Sequence, residues 1–115
     1  MYKNSHTFVL QLYTYSTIIM NNNTSFEWDD DKNKFNFDKH GVTFEEAQLV
    51  FEDEDKLIFR DDSHRNGNEI RYFCIGKIDK GICTVRFVYR NNKIRIFGAG
   101  YWRKERKMYE KNKSR

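Results

Sequence analysis

The hydrophobic and polar positions follow a helical spacing first, then alternate, and end in a basic segment. Asp29-Asp30-Asp31 opens a polar stretch containing Phe35, and acids in a first turn suit the helix dipole, so a short helix is predicted over about 30–39, ended by Gly41. Thr43-Phe44-Glu45-Glu46 reads as a capping box, with Val42 placed to staple onto Ala47. Phe44, Ala47, Val50 and Phe51 then share one helical face until the acids at 52–55 interrupt the pattern. Beyond them the period falls to two. Leu57-Ile58-Phe59 predicts a short strand, and Asn66-Gly67 closes the polar loop that follows. Glu69 to Gly76 alternates, with Ile70, Tyr72 and Cys74 on one face and Arg71, Phe73 and Ile75 on the other. Ile82 to Tyr89 puts Cys83, Val85, Phe87 and Tyr89 opposite Ile82, Thr84, Arg86 and Val88. Asn91-Asn92 turns the chain into a fourth strand, Ile94 to Phe97. Gly98-Ala99-Gly100 then leads into a basic segment, Trp102 to Lys111, that can form a last helix. The order predicts a small α+β domain: two short N-terminal helices, a four-stranded antiparallel sheet and a C-terminal helix.

Length supports one domain: 115 residues bury a single modest core. The aromatic content of 17% argues for a folded chain, and the absence of proline excludes PPII segments. Cys74 and Cys83 match no disulfide framework or zinc spacing, and both fall inside predicted strands, so they read as small apolar residues in a reducing, cytoplasmic compartment. No apolar run reaches the ~18 residues of a membrane span. Residues 1–25 break from the rest in composition. They carry one base, Lys3, no acid, and a weak apolar stretch ending in the polar run Asn21 to Ser25. Signal peptide, extra edge strand or loose arm, and unused extension before a start at Met20 are the three readings. The unused extension is preferred, leaving 26–115 as the folded domain.

The net charge of +4 conceals a dipolar chain. Phe26 to Ile70 holds 14 acids and 6 bases, whereas Arg71 to Arg115 holds 14 bases and 3 acids. One-signed bases on adjacent strands focus potential for a polyanion such as RNA. The bland alternative is an acidic helical layer packed on a basic sheet, or an acidic protein partner.

Several blocks together resemble one family. Phe26-Glu27-Trp28-Asp29, Lys32, Asn36, Lys39-His40-Gly41-Val42, Phe44-Glu45-Glu46-Ala47 and Phe51 are similar to the opening of BrnT toxins. Glu69-Ile70-Arg71, Ile75-Gly76, Tyr89-Arg90, Ile94-Arg95-Ile96, Tyr101-Trp102-Arg103-Lys104 and Tyr109-Glu110 resemble the remainder, so the resemblance runs from Phe26 to about Glu110. It implies a RelE-like fold and a type II toxin that halts translation as an endoribonuclease. It further implies a BrnA-like antitoxin with a ribbon-helix-helix domain, through which alone the complex reaches operator DNA. One position departs: where many members end the last strand in Ile-Ser-Ala-Arg, this chain has Phe97-Gly98-Ala99-Gly100, so either a phosphate contact is lost or Arg103 replaces it.

Metal-free RNA cleavage needs a base for the 2′-hydroxyl and cations for the phosphorane charge. His40 is the candidate for proton transfer, or else a helix-end histidine. Lys39 either holds phosphate or faces solvent. Arg71 and Arg95 are either strand-borne phosphate clamps or surface residues. Arg86, Arg90, Tyr101, Arg103 and Lys104 complete the expected RNA-binding set, with Trp102 read as docking the last helix. No metal and no cofactor is expected. The alternative function is a non-catalytic module that binds RNA or an acidic protein through the same basic sheet.

Overall fold

The computed structural model describes residues 25–62, 67 and 69–114. Residues 1–24 of the expected extension, His6 and the loop residues His64 and Arg65 lie outside the described residues. Among those described, the elements run β1 (Ser25–Trp28), α1 (Asp30–His40), α2 (Phe44–Ala47), a 3-10 turn (Gln48–Glu52), β2 (Leu57–Arg60), β3 (Arg71–Ile78), β4 (Gly81–Arg90), β5 (Lys93–Gly100) and α3 (Arg103–Lys113). The strands form one sheet in the order β1-β5-β4-β3-β2.

The sheet corrects the expected four antiparallel strands. It has five, and it is mixed, because β1 lies parallel to β5 with Phe26 opposite Ile94 and Trp28 opposite Ile96. Four residues are too few to show a period, so this strand is chosen by what it packs against. Phe26 meets the Phe51 ring at 5.3 Å and Trp28 meets Phe44 at 6.2 Å. The fourth strand is also longer than expected. It continues through Gly98-Ala99-Gly100 and carries a bulge, since Arg86 pairs with Gly98 while Phe87 pairs with Ile96. Phe97 is the extra residue.

The two predicted helices form, with one change. Asp29 accepts from Lys32 N at 3.0 Å to start α1, and Gly41 ends it at φ 74°, a conformation glycine adopts without a Cβ penalty. At Thr43 the capping box is complete: Oγ1 accepts from Glu46 N at 3.1 Å and Glu46 Oε1 accepts from Thr43 N at 3.0 Å. Only one α-turn follows before the chain tightens into the 3-10 turn. Val42, Phe44, Ala47, Val50 and Phe51 are buried against Ile58, Cys74, Cys83, Val85, Phe87, Ile94 and Ile96 on the first face of the sheet.

The second face is covered only in part. Tyr109 of α3 packs on Leu57, Phe59 and Ile75, with Met108, Phe73 and Ile82 around them. The Tyr109 hydroxyl donates to Asp53 Oδ2 at 2.5 Å, which also accepts from Lys77 N at 2.7 Å. Burial pushes the Asp53 carboxyl up, but the bonds from Tyr109, Lys77 N and Asp55 N outweigh it and hold the group below its ordinary value. The part of this face that α3 leaves open is where Arg71, Arg86, Arg95 and Phe97 lie.

Candidate active site

β1 pairs only with the first half of β5, so the second half needs another edge partner. α1 supplies it through a polar residue. Asn36, 7% exposed, accepts from Ala99 N at 3.1 Å and donates to the Val42 carbonyl at 3.0 Å. Asn33 accepts from Phe44 N at 2.8 Å and donates to Glu45 at 2.8 Å. α1 is thus held by amides, and its last turn brings Lys39 and His40 to the bulged end of β5.

There the His40 ring meets Trp102 edge-on, with centroids 5.2 Å apart. The Arg86 guanidinium lies over the same indole, its carbon 5.3 Å from the ring centre. A cleft of about 520 Å³ opens between α1 and the sheet, lined by Phe35, Lys39, His40, Arg86, Phe97 and Trp102 among others. That volume falls within the range of ligand sites, ~300–1,000 Å³. The bulge creates the wall, because it aims Phe97 and Arg86 to one side while Ala99 stays in the core.

Not every expected site residue meets here. Arg71, Val88 and Arg95 form one row across β3, β4 and β5, and Phe73, Arg86 and Gly98 form the next. Arg71 reaches the cleft wall, its guanidinium carbon 4.9 Å from the Phe97 ring centre. Arg95 is one row further away and faces Glu27 of β1 at 3.4 Å. Of the strand arginines, Arg86 is the one that shares the His40 cleft, although Asp61 stands 3.7 Å from it. Arg90 is held by Glu69 in a two-pronged pair, with Nη2 donating at 2.9 Å. This bond, against a smaller burial cost, lowers the Glu69 carboxyl and raises Arg90. Tyr101, Arg103 and Lys104 are exposed and line none of the cleft. Partial desolvation of the Tyr101 phenol raises it above its ordinary value.

Trp102 does more than dock a helix, since it contacts both His40 and Arg86. Gly100 makes room for it. A Cβ at position 100 would lie 2.6 Å from Trp102 Cη2 and 2.9 Å from Cζ3, so any side chain there must move the indole. The glycine that departs from the common Arg is therefore the seat of the tryptophan. Phe97, expected from the sequence to partner Arg95, lies instead under Arg71, and the anchoring role of Asn36 escaped the sequence reading. The signal for Asn36 was present: no apolar stripe runs along 30–40, so something polar must hold that helix.

Cys74 and Cys83 are free and buried. Burial raises both thiols, Cys83 to about 12, so neither is a nucleophile at neutral pH. Among the described residues no three His, Cys, Asp or Glu side chains gather as a metal site. No helix among them is long and apolar enough to cross a membrane.

The family model for the ribonuclease toxin BrnT of type II toxin-antitoxin systems matches residues 28–105. The chain belongs to the BrnT family. The match includes every block from Trp28 through the first turn of α3, and with it the whole His40 cleft. Membership makes an antitoxin the expected partner, because a type II toxin is defined by one. No curated protein matches the chain.

Proposed function

We propose that this BrnT-family chain is an endoribonuclease that inhibits translation in the cytoplasm by cutting RNA without a metal ion, at the cleft between α1 and β5. The observation that carries the reading is the grouping of one imidazole, His40, with one guanidinium, Arg86, against a shared indole. His40 takes the proton of a 2′-hydroxyl. The freed oxygen attacks the adjacent phosphorus, and the bond to the 5′-oxygen breaks. A 2′,3′-cyclic phosphate and a 5′-hydroxyl result, the leaving oxygen taking its proton from water or Lys39. Arg86 faces the charge of the phosphorane. Arg71, through Phe97, and Arg95, one row on, hold neighbouring phosphates. Arg103 and Lys104 extend the cationic path, and Arg90 and Tyr101 flank it. A BrnA-like ribbon-helix-helix antitoxin neutralises the site and carries the complex to operator DNA.

The test is induction of the chain in a bacterial host lacking the antitoxin. Growth arrest with cleaved RNA is the expected result, and unhindered growth at good expression favours a non-catalytic binding module. In vitro, His40→Ala should slow single-turnover cleavage by a factor of roughly 10²–10⁴. It should barely change affinity for an RNA with 2′-deoxy linkages, whereas Arg86→Ala should lower both. An unchanged rate for His40→Ala sinks its role as base and leaves it a helix-end residue.

A further inference from the structure

α1 inverts the usual amphipathic order. Its buried contacts come from Asn36, while Phe35 is 67% exposed and Phe37 46%. The bonds of Asn36 to Ala99 N and the Val42 carbonyl account for the inward amide, but no packing contact of the fold accounts for the outward ring of Phe35. Phe35 is no stray surface residue either, since it forms the outer wall of the His40 cleft. Lys32 and Lys39, which line the same cleft together with Asp31, stand three positions before and four after it, so the two lysines and the ring share one helical stripe. The Lys39 ammonium lies 5.9 Å from the Phe35 ring centre. One aromatic ring flanked by two cations, opposite Arg86 and Trp102, has the chemistry of a single-stranded nucleic acid platform. The ring takes a base face and the cations take the phosphates on either side.

Building on the ribonuclease reading, we propose that the Lys32–Phe35–Lys39 stripe binds single-stranded RNA by stacking one splayed base on Phe35, beside the phosphate that faces His40. An acidic protein segment would satisfy the lysines but gives no reason for a bare ring between them. The stripe therefore restricts the substrate to RNA whose base can leave its stack. An A-form duplex, with both faces of each base covered, is excluded from the ring.

The experiment uses the full chain and a short oligoribonucleotide, 2′-O-methylated throughout to prevent cleavage, with one 2-aminopurine in place of adenine. Wild type should quench the 2-aminopurine on binding and should bind the single strand more tightly than the same strand annealed to its complement. Phe35→Ala should lose affinity by roughly five- to a hundredfold, the equivalent of one stacked base, and abolish the quench. Phe35→Trp should restore both. Phe37→Ala, an exposed ring outside the cleft, should change neither, which separates stacking from damage to α1. Unchanged affinity and quench in Phe35→Ala overturn the proposal, as do equal binding of duplex and single strand or no binding by wild type at low salt. Retained RNA affinity in Phe35→Ala, together with lost capture of the antitoxin encoded beside this chain, also overturns it and makes the stripe a protein interface. Cleavage measured on unmodified RNA keeps the two readings apart. If Phe35→Ala cuts and binds like wild type, only the stripe fails, and if wild type binds and quenches but never cuts, only the ribonuclease reading fails.

Discussion

Gly100 and Trp102 act as a pair. With no side chain at 100, the indole lies on the backbone of β5, and in that position it touches both His40 and Arg86. The resemblance to BrnT implies that without an Arg at 100 either a phosphate contact is lost or Arg103 replaces it. The geometry points to another reading, because an Arg placed there must first move the tryptophan. Gly100→Arg should therefore cost about 1–3 kcal/mol through overpacking. It should also slow single-turnover cleavage, because His40 loses the ring it rests on. Thermal melts and cleavage rates of this one variant check both points. A faster enzyme of normal stability would show that Trp102 moves aside freely and that the common Arg is the better solution.

Polar residues help to hold two elements in place. Asn36 fixes α1 by serving the β5 edge and the Val42 carbonyl together. Asn36→Leu keeps the volume but strands both backbone groups, at about 1–3 kcal/mol for each one left buried without a partner. Chemical denaturation should register that loss, and cleavage should fall with it, since His40 rides on the same helix. At the other end of the molecule, Asp53 fixes α3 through Tyr109. Its carboxyl is lower in the folded chain than the ~3.9 of an unfolded Asp. The stabilisation is therefore complete above that unfolded value and disappears as pH falls through the folded one. Asp53→Asn should be less stable than wild type at pH 7, on the order of 1–2 kcal/mol for the lost charged hydrogen bonds. The gap should narrow as the pH is lowered from 7 to below that unfolded value. Denaturation midpoints at the two pH values decide it, and a constant gap would mean that the charge of Asp53 is irrelevant to holding α3.

For the whole molecule, the charge division becomes a division of faces. The acids of 45–55 belong to the helical layer and its margin, while Arg71, Arg86 and Arg95 lie on the open part of the opposite face. RNA affinity should fall steeply with salt. Four cations at or beside the cleft, Lys32, Lys39, Arg71 and Arg86, predict a slope of log affinity against log salt of about −3 for a single strand. Arg71→Gln should flatten that slope by about 0.7. Arg90→Gln should leave it unchanged, because Glu69 already neutralises Arg90. A slope near zero would mean that the basic face is not where RNA binds.

What could be read from the sequence alone was whatever rests on neighbours along the chain. The capping box at Thr43, the Gly41 stop, the Asn91-Asn92 turn and the alternation of β3 and β4 are local patterns, and each forms where it was expected. His40 could be singled out because imidazole chemistry belongs to the residue itself. Tertiary structure decided what depends on contacts between distant segments. β1 is a strand only because β5 offers it an edge and Phe44 and Phe51 offer its rings a core. The bulge at Phe97 shifts the parity of β5, placing Ala99 inside and Gly100 beneath Trp102, and strict alternation would have reversed both. That same shift leaves Arg86, and not Arg95, as the strand arginine that lines the His40 cleft. Local sequence sets which side a residue takes relative to its neighbours on the strand, whereas a bulge is settled by how two strands and a helix fit together. The outward Phe35 and inward Asn36 are legible as residues, but their meaning depends on the strand edge that α1 must cover.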